Sequence, residues 1–154
     1  TREEIERVDL EPYRMLIPKG LAAVMPAHVI YPAVDTQPAG FSSVWLRDIL
    51  RGRLGFDGLI FSDDLTMEGA SVVGGVIERA QAAFEAGCDM VLVCNRPDLA
   101  RELVDGYRAG PVDVRRIDRL RGRNPGRPAA ASNAYTEALA LHARAYSPDG
   151  LRLA

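Results

Sequence analysis

Gly55-Phe56-Asp57-Gly58-Leu59-Ile60-Phe61-Ser62-Asp63-Asp64-Leu65-Thr66-Met67-Glu68-Gly69-Ala70 is the stretch on which the fold of this chain turns. A Gly-Phe-Asp-Gly turn leads into three consecutive apolar residues, Leu59, Ile60 and Phe61, and two adjacent carboxylates follow one residue later. A short apolar run bounded by turn residues reads as a strand buried on both faces, the usual state in a parallel sheet. Carboxylates at the C-terminal tip of such a strand stand where α/β folds place their chemistry. The competing reading is that Asp63 or Asp64 only caps the turn that follows.

Working outward, residues 21–25 form a second apolar run that ends in Pro26-Ala27-His28, and residues 90–93 form a third. Between them the spacing predicts helices. One covers 11–19, opened by Pro12 at a first-turn position and stopped by Gly20. After a Pro- and Gly-bearing loop at 31–41, another starts at Ser42 or Ser43, carries Val44, Trp45, Ile49 and Leu50 at helical spacing, and ends at Gly52 and Gly55. A small-residue turn at 69–75 leads to a third over 76–86. Its inward stripe is Val76, Ala80, Ala83 and Phe84, and Gly87 closes it. Pro97 and Asp98 open a fourth that runs through Tyr107. Strands alternating with helices of this length argue for parallel βαβ units. Residues 1–121 make up this α/β part, with an arginine-rich helix at 112–121. Residues 122–131 read as a Gly/Pro/Arg linker and 132–154 as an alanine-rich helix and tail.

The chain has 154 residues, 47% of them apolar, enough for a core, and a net charge of −2. That balance makes no electrostatic case for nucleic acid or an anionic membrane. No apolar run is long enough to span a bilayer and no signal peptide is evident. The first residue is Thr1 rather than Met, so the protein's own N-terminus is expected further upstream. Cys88 and Cys94, if they lie mostly on one strand, stand roughly 20 Å apart. A disulfide needs α-carbons within about 7 Å. Two free, buried thiols fit a reducing cytoplasm, the expected location.

Ser62-Asp63-Asp64-Leu65-Thr66-Met67-Glu68-Gly69-Ala70 resembles the nucleophile motif of family 3 glycoside hydrolases, in particular the bacterial β-N-acetylglucosaminidases of cell-wall recycling. Ala23-Val24-Met25-Pro26-Ala27-His28-Val29-Ile30-Tyr31 and Gly87-Cys88-Asp89-Met90-Val91-Leu92-Val93-Cys94-Asn95 resemble flanking segments of the same family, in the same order. The resemblance covers roughly residues 8–110. It implies that the chain is the C-terminal portion of a (β/α)8 TIM barrel, about strands 6–8 and the following helices. A whole barrel takes about 250 residues. It also implies a retaining hydrolase that releases terminal N-acetyl-β-D-glucosamine from a muropeptide or chitooligosaccharide-like substrate, without metal or organic cofactor. The partner it implies is the N-terminal part of the same barrel. An isolated set of three strands leaves open edges and is expected to be inactive.

On that resemblance Asp63 is the nucleophile, attacking the anomeric carbon to give a covalent glycosyl-enzyme. Successive strand residues point to opposite faces, so only one of Asp63 and Asp64 can face the site. Asp64 is then a supporting residue that caps the turn or orients a neighbour. A two-carboxylate metal site would need further oxygen or histidine ligands. His28, at the tip of the neighbouring strand, either faces substrate or is a packed core histidine. Met67 either lines the sugar pocket or fills core, the default for methionine. Glu68 reads as a first-turn acid, and His142 as a surface residue. The resemblance places the acid/base histidine in an earlier loop with a Gly-His-Gly type motif, absent here. Arg115, Arg116, Arg119, Arg121, Arg123 and Arg127 read either as a phosphate-binding patch or as a solvated or interface face. Two further possibilities stay open: a different barrel enzyme with Asp63 as general base, and a non-catalytic fragment that needs its N-terminal half.

Overall fold

The computed structural model describes residues 1–108, 110, 113–122 and 133–145. They fall into two bodies, one within Thr1–Arg121 and one within Gly122–Ala154. In the first, an N-terminal helical segment comprises α1 (Arg2–Glu4), a wider turn at Ile5–Asp9, α2 (Glu11–Leu16) and a tight turn at Ile17–Lys19. Gly20 ends it in the left-handed region at φ 88°. Then come β1 (Ala23–Val24), a wide helix at Val44–Arg53, β2 (Leu59–Asp64), α3 (Val76–Ala86), β3 (Met90–Leu92), α4 (Pro97–Gly106) and α5 (Val114–Asp118). The second body contains α6 (Asn133–Ala145), on which His142 is exposed.

The three strands form one parallel sheet in the order β1-β2-β3. Each connection carries a helix, as the alternation of apolar runs and helical spacing predicts. Leu59 and Ile60 in the central strand are fully buried, and Ile60 joins Leu46, Leu50, Phe56, Leu65, Ala80 and Ala83 in the main apolar cluster. Burying a Leu or Ile side chain contributes about 1.5–3 kcal/mol, so this layer carries most of the drive to fold.

Local chemistry explains the boundaries. Pro12 lies in the first turn of α2, where its missing N–H costs nothing. The Ser42 hydroxyl accepts the N–H of Trp45 at 3.1 Å and so caps the 44–53 helix. The same hydroxyl donates to Asp35, tying the 31–41 loop to that helix. Gly52 does not end the helix, which runs to Arg53. Gly55, at φ 69°, makes the turn into β2. Gly87 closes α3 at φ 125°, and a Cβ there would crowd Leu46 and Arg47 of the neighbouring helix at 3.3–3.4 Å. The strand at 21–25 is shorter than expected, two residues only. The reason is that Met25 and Pro26 leave the ladder to start the loop that carries His28. Cys88 is buried and its thiol is pushed up to about 12 by burial. Cys94 is exposed, against expectation, because β3 stops at Leu92 and the chain turns out to solvent. The linker at 122–131 lies outside the described residues except for Gly122.

At the N-terminal ends of β2 and β3, the arginines of the 44–53 helix and α5 meet carboxylates. Asp89 accepts from Arg51 at 2.7 Å, from Arg116 at 2.9 Å and from the Ile60 N–H at 2.8 Å. Arg51 also donates to the carbonyls of Phe56 and Gly58. Arg119 holds the carboxylate and the carbonyl of Asp57, each at 2.7 Å. Arg115 pairs with Asp113, and Arg121 with Asp118. Within the series, Arg116 and Arg119 tie the chain after α4 to the starts of β2 and β3, whereas Arg115 and Arg121 form exposed local pairs on a solvated face; Arg123 and Arg127 lie outside the described residues. Against β1 lies an apolar groove of about 350 Å³, lined by Leu10, Tyr13, Val24, Met25, Trp45 and Leu50 among others.

Replacing Asp89 by Ala strands the half-buried Arg51 charge and the Ile60 N–H. Such losses cost about 3–5 kcal/mol. The D89A protein is expected to unfold at markedly lower urea concentration; an unchanged midpoint would show that this cluster does not hold the sheet.

Candidate active site

The site begins with an irregularity in β2. Phe61 pairs with Met90, but Asp64 pairs with Leu92, so four residues of β2 oppose three of β3. This is a bulge, a device that re-aims side chains at strand ends. Within it the fully buried Ser62 substitutes for the main chain: its hydroxyl accepts the N–H of Leu92 at 3.0 Å. The strand runs on to Asp64, and the two aspartates part company.

Asp64 turns inward. Its carboxylate accepts the N–H and the hydroxyl of Thr66 at 2.9 and 2.8 Å, the Cys94 N–H at 3.2 Å and the Asn95 amide at 3.4 Å. Burial works to raise its pKa, but these donors outweigh it and hold the carboxyl below the ordinary 3.8. Asp64 is thus the turn cap that the bland reading foresees, and it also joins the ends of β2 and β3. Asp63 faces the other way. It is partly exposed, and its carboxylate takes one hydrogen bond among the described residues, from the Asp64 N–H at 2.9 Å.

Two groups brace the turn. Arg79 on α3 donates to the carbonyl of Leu65 at 2.7 Å, and the Leu65 N–H reaches the Leu92 carbonyl at 2.9 Å. Glu68 stands in the first turn of the tight helix at Glu68–Val73 and accepts from the Ser71 hydroxyl. Met67 is 45% exposed on the turn, so it does not fill core. The turn closes through its own main chain (Met67 N–H to the Asp64 carbonyl, 3.0 Å) and leaves the side chain outside.

His28 follows β1 on the same side of the sheet as Asp63. Its ring is stacked on Phe41 with centroids 4.6 Å apart and is 7% exposed. Burial lowers its pKa below the usual 6.5, against the opposing pull of the Asp63 main chain, towards which the ring is directed, and of the Asp63 and Asp64 carboxylates. Both ring nitrogens are buried without a full hydrogen bond among the described residues. Leaving such atoms unmet costs about 1–3 kcal/mol. Two glycines shape the cradle. A Cβ on Gly40 would stand 3.1 Å from Nδ1, and one on Gly69 only 2.6 Å from the His28 carbonyl oxygen. The turn after Asp63 therefore packs directly on the His28 main chain.

The sheet thus brings His28, Asp63, Asp64 and Asn95 to one edge, with one aspartate saturated and the other open. Thr66, Cys94 and Asn95 are the participants that sequence reasoning misses. The signal for Asn95 was its place just past the third strand, matching that of the aspartates past the second. Among the described residues no three His, Cys, Asp or Glu side chains gather as a metal site.

Residues 1–123 match the family model described as the glycosyl hydrolase family 3 N terminal domain. The chain belongs to this family. It is 65% identical over 105 residues to a beta-hexosaminidase of Neisseria gonorrhoeae, covering 68% of this chain and 29% of that protein. A beta-hexosaminidase of Aromatoleum aromaticum is 63% identical over 117 residues, 75% of this chain and 33% of its own length. The chain thus spans about a third of the curated relatives it matches. Among solved structures it resembles NagZ from Neisseria gonorrhoeae in complex with N-trifluoroacetyl-D-glucosamine. That match has a TM-score of 0.80 and 49% identity over 95% of this chain and 44% of the other. A family 3 beta-N-acetylglucosaminidase from Paenibacillus aligns with a TM-score of 0.64 and 34% identity, over 89% of this chain and 30% of that one. The α/β architecture with its parallel sheet is that of the family 3 domain.

The depressed pKa of Asp64 has a pH consequence. Its ionised form stabilises the fold fully above the unfolded carboxyl value, and that stability is lost as pH falls through the lower folded value, below about 3.8. Urea midpoints measured from pH 7 to pH 2.5 are expected to fall less steeply at the acid end for Asp64→Asn than for the unaltered protein. Parallel curves would show that Asp64 is not held in this way.

Proposed function

We propose that this chain carries the nucleophile portion of a retaining β-N-acetylhexosaminidase, with Asp63 as the nucleophile. The observation that carries the reading is the contrast within the adjacent pair. Asp64 is consumed by four hydrogen bonds, while Asp63 keeps lone pairs for a reacting atom. A carboxylate with one N–H partner is oriented without being quenched by a cation.

In the first step an Asp63 carboxylate oxygen attacks the anomeric carbon of the sugar. The bond to the leaving oxygen breaks, and that oxygen takes a proton from an acid supplied from outside this chain. In the second step water attacks the same carbon, gives its proton back to that acid's conjugate base, and releases Asp63. Two inversions give net retention. The substrate is a terminal, non-reducing N-acetyl-β-D-glucosamine, here taken to sit on muropeptide fragments in the cytoplasm. An N-acylated glucosamine agrees with the ligand named for the Neisseria NagZ complex. His28 lies behind Asp63 rather than against sugar, and the exposed Met67 stands at the rim of the sugar pocket. The remaining strands of a (β/α)8 barrel, numbered before the three seen here, complete the pocket. Supporting this are the exposed apolar residues Met25, Val29 and Ile30 after β1 and the groove against it, surfaces that a further strand and helix would cover.

A slow fluorinated N-acetylglucosaminyl substrate tests the reading by intact mass and peptide mapping, on a polypeptide of family length that carries this segment. The expected result is a sugar adduct on the peptide containing Asp63, and a loss of turnover by about three orders of magnitude or more in Asp63→Ala. Near-normal turnover in that variant, or hydrolysis without an adduct on Asp63, would overturn it; the latter outcome fits a general base instead.

A further inference from the structure

We propose that Arg79 is the counter-charge of Asp64, coupled to it through one intervening peptide group, and by that pairing a positioning residue for Asp63. The inference rests on the reading of Asp63 as nucleophile. Asp64 is buried, yet its four partners are all uncharged: the N–H and hydroxyl of Thr66, the Cys94 N–H and the Asn95 amide. Arg79, half-buried on α3, donates to the carbonyls of Leu65 and Gly74 at 2.7 and 2.6 Å and meets no carboxylate among the described residues. A charge taken out of water is costly unless an opposite charge or several dipoles answer it.

The Leu65–Thr66 peptide joins the two. Its carbonyl accepts from the Arg79 guanidinium, and its N–H, on the opposite side of the same planar group, donates to Asp64 Oδ1 at 2.9 Å. The negative end of the peptide dipole thus lies on the cation and the positive end on the anion, and each hydrogen bond polarises the other. This peptide is not free to turn. The Leu65 side chain is fully buried in the main cluster, and its N–H is held by the Leu92 carbonyl at 2.9 Å. Because Arg79 also takes the Gly74 carbonyl, one guanidinium closes both ends of the segment that follows the aspartates. Its planar fork suits that task better than the point charge of a lysine.

One more bond carries the effect to the open carboxylate. The Asp64 N–H is the single partner of the Asp63 carboxylate among the described residues, at 2.9 Å. What holds Asp64 therefore aims that N–H. Kept one peptide away, the cation steadies the pair without neutralising the oxygen that attacks.

The test uses the family-length polypeptide with three substitutions, Arg79→Gln, Arg79→Lys and Asp64→Asn. A double-mutant cycle in urea measures the pairing without any substrate. Arg79→Gln is expected to lower the unfolding midpoint in the unaltered background and to lower it much less beside Asp64→Asn; additive losses would overturn the pairing. The rate of Asp63 labelling by the slow fluorinated substrate measures the positioning. It is expected to fall about 10-fold in Arg79→Gln, with half-saturation little changed. Arg79→Lys keeps the charge but not the fork, and is expected to fall between. An unchanged labelling rate in folded Arg79→Gln would leave Arg79 a structural brace only and overturn the positioning. Where Arg79→Gln does not fold, Arg79→Lys takes its place in both measurements, with the same signs expected. Absence of any label on Asp63 in an unaltered protein that turns over substrate marks failure of the nucleophile reading instead; the positioning falls with it, while the cycle still decides the pairing.

Discussion

The carboxylate of Asp64, buried at the junction of β2 and β3, is the constraint on which the candidate site depends. A buried charge is tolerated only where several donors meet it. Here they come from two places in sequence, Thr66 two residues on and Cys94 with Asn95 some thirty residues on. That arrangement closes the turn after β2 and fixes the chain leaving β3 against it. Because Asp64 must face inward, the strand's alternation turns its neighbour outward. Asp63 owes its openness to the demands of Asp64.

The opposite end of the sheet uses the same chemistry for another purpose. Asp57 and Asp89 precede β2 and β3 as Asp63 and Asp64 end β2, yet both are met by arginine. Arg51 comes from the 44–53 helix, Arg116 from α5 and Arg119 from the residue that caps its end, so two helical segments are drawn to one corner of the sheet. Pairing of this kind suits stability, since a guanidinium neutralises the carboxylate and holds it in one orientation. Parallel strands place all their N-terminal ends on one side and all C-terminal ends on the other. The division of labour between the two edges follows from that direction.

Much of this was legible in the residues. The apolar run 59–61, the strand–helix alternation, and helix 76–86 with its closing glycine came from period and punctuation, because those depend on neighbours in sequence. The irregularity at Ser62 did not. A serine inside an apolar strand says nothing by itself about a missing ladder partner, which appears only when β3 lies alongside. Cys94 was misjudged for a related reason, since an apolar run does not reveal where its last residues peel away from the sheet. Asp35 and Ser42 likewise became partners only through the folding of the 31–41 loop. The family motif singled out Asp63, but the reason for preferring it to Asp64 is a count of donors that sequence cannot supply.

His28 brings these threads together. Three loops converge on it: its own, the 39–41 turn through Phe41 and Gly40, and the turn after Asp63 through Gly69. A side chain at either glycine would push the ring or its carbonyl by several tenths of an ångström. A packed interior transmits such a push rather than absorbing it. The seat of His28 is therefore set by absent atoms, two missing β-carbons, as much as by the stack on Phe41. A methyl group at Gly69 would stand 2.6 Å from the His28 carbonyl oxygen, which is why the turn after the aspartate pair needs a residue without a side chain where it meets the histidine loop.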